Sequence, residues 1–289
     1  MNIAFVTYKD IPDLTADDKT IAAYLTEKDI TVDAVVWDDE NINWQLYDAI
    51  VLRSMWDYFE RVDEFDTWLR KLEQLNCKVF NPVSVVQWNK NKSYFLEYSK
   101  NGIQLPPYHY CFRQTDEKLV DILKKNDWEK VVVKPSVSGG ALNTWISTIS
   151  SASADEASFS ELLQNGDMIV QKFMEEIVTD GELSLIFFNK KFSHAICKRV
   201  KKNDFRVQTQ FGGTAEPFEP GKKLLQQALD LLNTINEPLL YARVDGIMVN
   251  DEFYLMELEL IEPVLSVYSN ENACENFHTA LVQLVGDKS

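Results

Sequence analysis

The chain has 289 residues, with 29 basic and 45 acidic side chains and a formal net charge of -16. Hydrophobic residues make up 45% of it and charged residues 26%, a balance typical of folded globular proteins and not of disordered acidic chains. The acidic excess excludes general binding to nucleic acid or to an anionic membrane, because a polyanion requires a basic face. It still permits a small anionic ligand that is held by a few local cations.

The cysteines show neither C-x-x-C spacing nor a short disulfide framework, which favours buried thiols in a reducing compartment. They are Cys77, Cys111, Cys197 and Cys274. The first residues lack the basic n-region of a secretion signal. The longest uncharged stretch, Pro135 to Ala154, is too rich in Ser, Thr and Gly to span a membrane. We therefore expect a soluble, cytoplasmic protein.

The first part of the chain alternates short apolar runs with a helical pattern. Runs rich in Val, Ile and Phe predict strands at Asn2–Tyr8, Val32–Trp37, Tyr47–Arg53 and Lys78–Asn81. Apolar residues recur at helical spacing over Asp63–Asn76. Strand, helix and strand in succession predict a small parallel α/β unit. No Gly-x-Gly-x-x-Gly follows the first strand, so the unit is Rossmann-like without the dinucleotide fingerprint.

The remaining chain begins after a boundary near Asn81-Pro82. A helix is predicted from Ser84 to Lys100, and an amphipathic segment over Asp116–Lys125 leads to an apolar strand at 131–133. The Ser/Ala-rich segment Ser147–Ser153 predicts a surface loop. The other predicted elements are the strands Met168–Phe173, Leu183–Phe188, Phe192–Lys198, Ala242–Val249 and Phe253–Leu260, and the helix Gln226–Ile235.

A glycine-rich segment, Ser138-Gly139-Gly140, stands between two predicted strands. Its backbone N–H groups can wrap phosphate oxygens, and the nearby Lys134 supplies a positive charge. It is not a Walker A loop, because Gly-Lys-Ser/Thr is missing and a strand is predicted to follow. Taken alone, such a segment is more often an ordinary hairpin.

Two carboxylates stand two residues apart in the predicted strand that contains Glu257 and Glu259. Residues at this spacing face the same side of a strand, so both carboxylates point to one place. Close like charges are unfavourable unless a cation lies between them, and oxygen ligands from these residues and Asp245 suit Mg²⁺. The alternative interpretation is a solvent-facing acidic edge strand.

A third segment, Asp204 to Gln208, stands between Lys198 and the pair Gly212-Gly213. Its basic side chains beside a Gly-Gly turn are suited to closing over phosphates or a substrate carboxylate. A basic surface loop explains the same pattern equally well. The histidines show neither metal-ligand spacing nor a nucleophile partner, which favours structural roles for His109, His194 and His278.

The order of these features carries more information than any one of them. It runs Lys92, Lys134, Gln171-Lys172-Phe173-Met174, Asp245, Glu257-x-Glu259 and Pro263. This series resembles the ATP-grasp superfamily, and within it the glutathione-synthetase-like branch. The chain is also similar to the cycloserine-biosynthesis cyclo-ligase group through Arg53–Tyr58, Lys134–Ala141 and Glu257–Pro263, and the similarity covers nearly the whole length.

The resemblance implies an α/β chain of the α+β grasp type. A Rossmann-like pre-ATP-grasp domain would occupy residues 1–83, and a two-lobed ATP-grasp fold would follow. Its N-terminal lobe, with a lid subdomain, would span 84–174, and its C-terminal lobe, with the metal site, would span 175–289.

The resemblance further implies that ATP lies between two antiparallel sheets. Lys92 and Lys134 would contact its phosphates under a mobile lid formed by Ser138, Gly139, Gly140 and Ala141. Gln171, Lys172, Phe173 and Met174 would form the hinge against adenine, and Glu182 would lie near the ribose. Asp245, Glu257 and Glu259 would hold two Mg²⁺ ions. Two positions depart from many relatives: Glu259 replaces Asn at the last metal position and adds a charge, and Gln208 also stands where Asn is usual.

The implied reaction is an ATP-dependent ligation. A substrate carboxylate is phosphorylated to an acylphosphate, and an amine then displaces the phosphate. Phosphoryl transfer depends on positioning and charge neutralisation, which the two Mg²⁺, Lys92, Lys134 and Arg206 would supply. Arg243 would stabilise the tetrahedral intermediate, and Lys198 is the remaining catalytic candidate. The rival hypothesis is a catalytically silent nucleotide-binding module with a regulatory or interaction role. Such a module is expected to lose a metal carboxylate or a phosphate lysine, and this sequence retains them.

The substrates are expected to be a small, amino-acid-like carboxylate and amine. Arg53, Trp56 and Asp57 follow the third strand, a usual ligand position in open α/β sheets, and Gly212 and Gly213 are the other substrate candidates. Alternatively, Trp56 and Tyr58 cap a core between domains. The residues encode neither the substrate identity nor the choice between cyclisation and intermolecular ligation, and a homodimer is a hypothesis for the assembly.

Overall fold

A computed structural model describes residues 1–201 and 212–286 of the chain. The first sheet has the strand order β2-β1-β3-β4, and its strands run parallel. The strands are β1 (Asn2–Thr7), β2 (Thr31–Val36), β3 (Ala49–Ser54) and β4 (Val79–Phe80), with the helices α1 (Ala16–Thr26) and α2 (Val62–Gln74). Every residue of β3 is buried, as expected for a central strand of a parallel sheet with both faces covered. The predicted parallel α/β unit is confirmed.

The second sheet is antiparallel, with the strand order β5-β8-β6-β7. Between β4 and this sheet lie α3 (Val83–Asn89) and α4 (Tyr94–Lys100). The sheet and its helices are β5 (Tyr108–Cys111), α5 (Leu119–Asn126), β6 (Lys130–Pro135), β7 (Trp145–Thr148), α6 (Ala152–Asn165) and β8 (Met168–Lys172). Leu123 of α5 and Phe159 of α6 pack on the valines of β6 and β8. The two helices therefore cover one face of this sheet and leave its other face to the rest of the chain.

The third sheet is also antiparallel, with the described strand order β11-β10-β9-β12-β13. Its elements are α7 (Glu176–Thr179), β9 (Glu182–Phe188), β10 (Lys191–Arg199), β11 (Thr214–Pro217), α8 (Lys222–Leu232), β12 (Tyr241–Val249), β13 (Glu252–Glu259) and α9 (Ala273–Gly286). Because side chains alternate, Leu183, Leu185 and Val244 enter one core together with residues of α8, and their neighbours face the opposite side.

The predicted helix from Ser84 to Lys100 was wrong as a single element, because the structure breaks it between α3 and α4. Asn89 ends α3 by bonding the backbone of β13: its Nδ2 donates to Leu258 O and its Oδ1 accepts from Leu260 N. Asn91 Oδ1 then accepts from the backbone N–H of Ser93. The break places Lys92 in the connection between the two helices and not on a helix face.

The predicted surface loop Ser147–Ser153 was also wrong in part. Ser147 is the buried third residue of β7, and α6 already begins at Ala152. The side chains of Ser147 and Ser151 both donate to Asp155 Oδ2, at 2.6 and 3.1 Å. These serines serve a tight strand-to-helix turn, which composition alone does not distinguish from a loop.

The first and third sheets are joined by buried polar side chains. Asn81 donates from Nδ2 to Tyr241 O and Leu260 O, and its Oδ1 accepts from Leu240 N. The hydroxyl of Tyr241 lies 2.6 Å from Leu52 O in β3. Since such satisfied buried groups fix geometry, the end of β3 is held beside β12 and β13. The domain bounds at 83 and 174 stay a prediction. Among the described residues, no helix is both long enough and apolar enough to cross a bilayer.

Candidate active site

A polar face of the third sheet gathers most of the predicted catalytic and metal residues. Strand register places Arg243 of β12 opposite Glu259 of β13, and Asp245 opposite Glu257. On its other side β12 pairs with β9, where Ser184 stands opposite Asp245. Alternation along both strands therefore brings these side chains to the side that faces away from the α8 core.

Asp245 lies at the centre of this face and is paired with two cations. Arg243 Nη2 is 2.8 Å from its Oδ2, Lys198 Nζ is 3.2 Å from the same oxygen, and Ser184 donates to Oδ1 at 2.6 Å. Burial opposes ionisation of Asp245, but Arg243 and Lys198 outweigh it and lower its pKa to about 2. Lys198 also forms an ion pair with Glu182, whose pKa burial raises.

The two predicted phosphate lysines lie beside Glu257. Lys92 Nζ is 3.1 Å from Glu257 Oε1 and donates to Ser138 O at 2.8 Å. Burial and the neighbouring Lys92 lower the pKa of Lys134 to about 8, although Glu257 opposes the change. Burial raises the pKa of Glu257, but Lys92 and Lys134 outweigh it, so the net pKa is lowered. A desolvated lysine of lowered pKa gains its full charge when an anion approaches, which suits a phosphate contact.

Burial disfavours the ionised form of two further carboxyls. Burial raises the pKa of Glu259 to about 8, with Asp245 and Glu257 adding to the rise although Arg243 opposes it. Burial also raises the pKa of Glu262 to about 7, against a hydrogen bond from Tyr58. Among the described residues, more carboxyl groups than cations thus meet at the end of β13. A divalent cation would relieve this excess.

The donor set fits Mg²⁺ in its chemistry, because Asp245, Glu257 and Glu259 offer only hard carboxylate oxygens. These oxygens are held by Arg243, Lys198 and Lys92 rather than gathered at one point. Within the described residues, the potential ligand atoms that all lie within 4.8 Å of one another belong to His109, Cys111 and Glu117. That trio is placed by β5, where Cys111 is packed among apolar residues of α5 and α6, outside this polar face.

The glycine-rich loop follows β6 and lies over Lys92. Gly140 and Ala141 both have left-handed φ values, of 57° and 61°. Gly139 instead lies against the ring of Phe59, where an added Cβ would stand 2.4 Å from Cε1. Close approach, and not a left-handed φ, is what requires glycine at 139. The predicted lid role of Ser138–Ala141 stays a prediction.

The predicted adenine hinge lies at the end of β8. The backbone N–H groups of Lys172 and Phe173 donate to Pro107 O and Lys130 O, and Lys130 Nζ lies over the Phe173 ring. Gln171 is buried, and its Nε2 has no hydrogen-bond partner in the described part of the chain. Because a buried unsatisfied donor is unfavourable, this nitrogen is suited to a ligand acceptor. Met174 follows directly, and its predicted adenine contact stays a prediction.

The substrate candidates of the first sheet are engaged with protein groups. Arg53 is 1% exposed; its Nε donates to Asp18 Oδ1 and its Nη2 to Pro263 O, both at 2.8 Å. Trp56 Nε1 donates to Glu262 O at 3.2 Å. Asp57 accepts from Trp37 and Arg61. Among the described residues Arg53 Nη1 has no partner, so one guanidinium nitrogen is left for a ligand.

The remaining candidates lie at the edge of the third sheet. Gly212, with φ 86°, and Gly213 lead into β11, whose Ala215 pairs with Lys198. They therefore stand at the same end of the sheet as the Lys198–Asp245 pair. Arg206 and Gln208, like the rest of the segment 202–211, lie outside the described residues.

Comparisons with known proteins concern the fold and the family resemblance of the chain. A family model described as the N-terminal domain of D-cycloserine synthetase DcsG matches residues 3–81. The cycloserine biosynthesis protein DcsG of Streptomyces lavendulae is 26% identical over 268 residues, which cover 88% of this chain and 89% of that protein. The crystal structure of D-cycloserine synthetase DcsG gives a TM-score of 0.87 at 24% identity, over 99% of this chain and 100% of that chain.

More distant structures share the same architecture. D-alanine–D-alanine ligase from Bacillus anthracis complexed with ATP gives a TM-score of 0.69 at 14% identity, over 99% of this chain and 97% of that chain. The ATP-grasp ligase PsnB complexed with minimal precursor, Mg and ADP gives 0.63 at 14% identity, over 97% and 96%. This chain has the ATP-grasp fold. The predicted fold class is confirmed, as is the resemblance to the cycloserine-biosynthesis group, and the relatives support the prediction of an ATP-grasp ligase.

The sequence interpretation of this ATP-grasp chain left some residues of the site unassigned. Ser184 bonds Asp245, and its position two residues after Glu182 on one strand was the available signal. Glu262 lies within the quoted Glu257–Pro263 motif, but its contact with Tyr58 joins distant parts of the chain. Phe59 carried no signal, because a single aromatic after Tyr58 is typical of a core residue.

Proposed function

We propose that this chain is an ATP- and Mg²⁺-dependent ligase that activates a substrate carboxylate as an acylphosphate for attack by an amine. The observation that carries the proposal is the convergence of Lys92, Lys134 and Glu257 beside the Asp245 cluster, on a chain with the ATP-grasp fold. These are the groups that a catalytically silent relative would be expected to lose. Their assembly at one place favours the enzyme over the silent module.

The residues present divide the binding of nucleotide and metal between two lobes. Lys92 and Lys134 would bind phosphate oxygens, and the Nε2 of Gln171 would donate to the base. Asp245, Glu257 and Glu259 would hold the metal, for which we propose two ions. Bound Mg²⁺ would neutralise phosphate charge during transfer. The neighbours complexed with ATP, or with Mg and ADP, support this choice of cofactors.

The reaction has two steps. In the first, a carboxylate oxygen of the substrate attacks the γ-phosphorus of ATP, and the bond to the β–γ bridging oxygen breaks to release ADP. In the second, the amine nitrogen attacks the acyl carbon, the bond from that carbon to the phosphate oxygen breaks, and phosphate leaves with the electron pair. The nitrogen loses a proton as the C–N bond forms.

The chain contributes charge and orientation to these steps. Arg243 is fixed by Asp245 and Glu259 on one side and by Val264 O, 3.1 Å from Nη1, on the other. A guanidinium held so tightly cannot reorganise as charge develops, which suits it to stabilise the oxyanion of the second step. Lys198 would neutralise the same region through its contacts with Asp245 and Glu182.

The substrates that we propose are small and amino-acid-like. The similarity to the cycloserine biosynthesis protein DcsG supports this class, and also the case in which carboxylate and amine belong to one molecule and the product is a ring. The chemistry is the same when they belong to two molecules. Arg53 Nη1 and the Gly212-Gly213 turn are the groups that we assign to substrate recognition.

The test is release of ADP and phosphate from ATP and Mg²⁺ with a panel of carboxylate–amine pairs, including single molecules that carry both groups. We expect substrate-dependent ADP release by the wild-type chain and little release with ATP alone. Lys134→Ala and Glu257→Ala should each lower the rate by about a thousandfold or more while circular dichroism stays unchanged. The matched control is Glu252→Ala on the same strand, an exposed carboxylate paired with Lys223.

Two results would contradict this proposal. Wild-type rates of ADP release by both purified variants would exclude the site. Binding of ADP without turnover for any pair in the panel would favour the silent nucleotide-binding module.

A further inference from the structure

Gly139 of the glycine-rich loop packs against Phe59, which follows β3 of the first sheet. A Cβ built on Gly139 would lie 2.4 Å from Cε1 and 2.8 Å from Cδ1 of Phe59. Real Cβ atoms do not approach carbon so closely, so the loop backbone packs directly on the ring. Gly139 does not take a left-handed φ, unlike Gly140, and alanine at 139 would therefore be opposed by the ring alone.

Phe59 is held in place by its neighbours. Its ring packs edge-on against Tyr58 at a centroid distance of 5.5 Å. Tyr58 is buried and donates a hydrogen bond to Glu262, and Trp56 Nε1 donates to Glu262 O. The segment that contains the proposed substrate residues is thus fixed to the chain just beyond β13. Phe59 itself is partly buried and packs against the core of the first sheet.

The loop is also bonded by a residue of the proposed phosphate site. Lys92 Nζ donates to Ser138 O at 2.8 Å and pairs with Glu257. The backbone N–H of Lys92 also donates to Ser136 O. The loop therefore contacts both Lys92 and Phe59, and the contact with the ring does not depend on a group that the proposed function assigns to phosphate.

We propose that Phe59 is a positioning residue on which the loop 138–141 docks, and that this contact holds the loop over the nucleotide phosphates. The inference rests on the proposed nucleotide binding. It links the two halves of the site, because Phe59 directly follows the segment 53–58, which contains the substrate candidate Arg53. A displacement of that segment would loosen the loop and weaken nucleotide binding.

The first test uses the nucleotide-free protein and measures amide hydrogen exchange of residues 137–143. Phe59→Leu keeps a branched apolar side chain beside Tyr58 but removes the ring atoms that meet Gly139. We expect exchange in the loop to rise about threefold in Phe59→Leu and in Gly139→Ala, and the double variant to show no further rise. Unchanged exchange in Phe59→Leu, or additive effects in the double variant, would overturn the docking contact.

The second test measures the affinity for ADP with Mg²⁺ by calorimetry. Gly139→Ala should weaken binding about tenfold in the wild-type background, because the added methyl group meets the ring. In the Phe59→Leu background the same change should weaken binding less than about twofold, since the obstacle is gone. The matched control is Phe112→Leu, because Phe112 is an exposed phenylalanine that packs on Tyr110. In the Phe112→Leu background, Gly139→Ala should keep its full effect on ADP binding.

The outcomes separate this inference from the proposed function. If Gly139→Ala weakens ADP binding equally in all three backgrounds, Phe59 does not position the loop, and the proposed function stands. If the wild-type chain binds no ADP, both the proposed function and the control of nucleotide affinity by Phe59 are wrong.

Discussion

Two buried Arg–Asp pairs occupy different parts of the molecule and differ in their surroundings. Arg53 and Asp18, 1% and 2% exposed, form one charge-matched pair between β3 and α1. Arg243 and Asp245 belong instead to a cluster in which Lys198, Glu182 and Glu259 compete for the same partners. The first pair is closed, whereas the second belongs to a set that has, among the described residues, more carboxyl groups than cations.

The difference is visible in the protonation of the carboxyls. Around Arg243 the pKa of Asp245 is lowered to about 2, while burial raises that of Glu259 to about 8. Opposite pKa shifts in neighbouring carboxyls are typical of functional sites. A buried ion pair therefore does not by itself indicate a catalytic site, whereas an unbalanced set of buried charges does.

The largest effect on stability is expected at the closed pair. Arg53→Ala should lower the free energy of unfolding by about 3–5 kcal/mol, because it leaves Asp18 buried without a cation. Chemical denaturation with circular dichroism measures the change. The double variant Asp18→Leu/Arg53→Leu should recover much of the loss, since no buried charge remains.

The matched control for this variant is Arg70→Ala. Arg70 is exposed and bonds only Thr67 among the described side chains, so its loss should change stability by less than about 0.5 kcal/mol. A small effect of Arg53→Ala, similar to that of Arg70→Ala, would contradict the description of Arg53 and Asp18 as a buried, charge-matched pair.

The cluster around Arg243 and Asp245 should show the opposite result, with a small loss of stability and a large loss of activity. In Asp245→Asn, Arg243 still pairs with Glu259 and Lys198 with Glu182, so the free energy of unfolding should fall by less than about 2 kcal/mol. Substrate-dependent ADP release should fall at least about a hundredfold, because a metal carboxylate is lost. Denaturation and steady-state rates measure the two effects. A stability loss as large as that of Arg53→Ala, with activity retained, would reverse the comparison.

The strands of this cluster could be predicted from sequence, because their apolar residues alternate or run continuously. The predicted strand Phe253–Leu260 differs from the observed Glu252–Glu259 by one residue at each end. The pair Glu257 and Glu259 on one face followed directly from that period. The helix break at Lys92 was hidden, because Asn89 ends α3 by bonding Leu258 and Leu260, which are distant in sequence.

The partners within the site could not be predicted for the same reason. No local pattern indicates that Lys198 shares Asp245 with Arg243, since strand register across β10, β9 and β12 decides it. The contact of Gly139 with Phe59 joins a loop to another sheet. Sequence reasoning identified which residue types carry the chemistry, while packing determined which of them are neutralised.

The smallest effect concerns the charge of Lys134. Its pKa in the folded, nucleotide-free chain is lowered to about 8 by burial and by Lys92, from an ordinary value of 10.5. Between these values the folded chain binds fewer protons than the unfolded chain. The buried charge of Lys134 therefore lowers the free energy of unfolding by its full amount below about pH 8. This loss of stability decreases as the pH rises toward 10.5. Lys134→Met should stabilise the nucleotide-free chain at pH 7, and this gain should shrink above pH 8.

Nucleotide affinity should show the opposite trend, because ADP requires the charged lysine. Phosphate ionisation is complete above about pH 7.5, so above pH 8 the group that changes its charge is Lys134. The Kd for ADP with Mg²⁺ should therefore rise up to about tenfold per pH unit above pH 8. Lys134→Arg keeps its charge throughout this range and should remove the slope, whatever its affinity at pH 7. A slope that persists in Lys134→Arg would assign the titration to another group, and the unbalanced charge of the site would then not include Lys134.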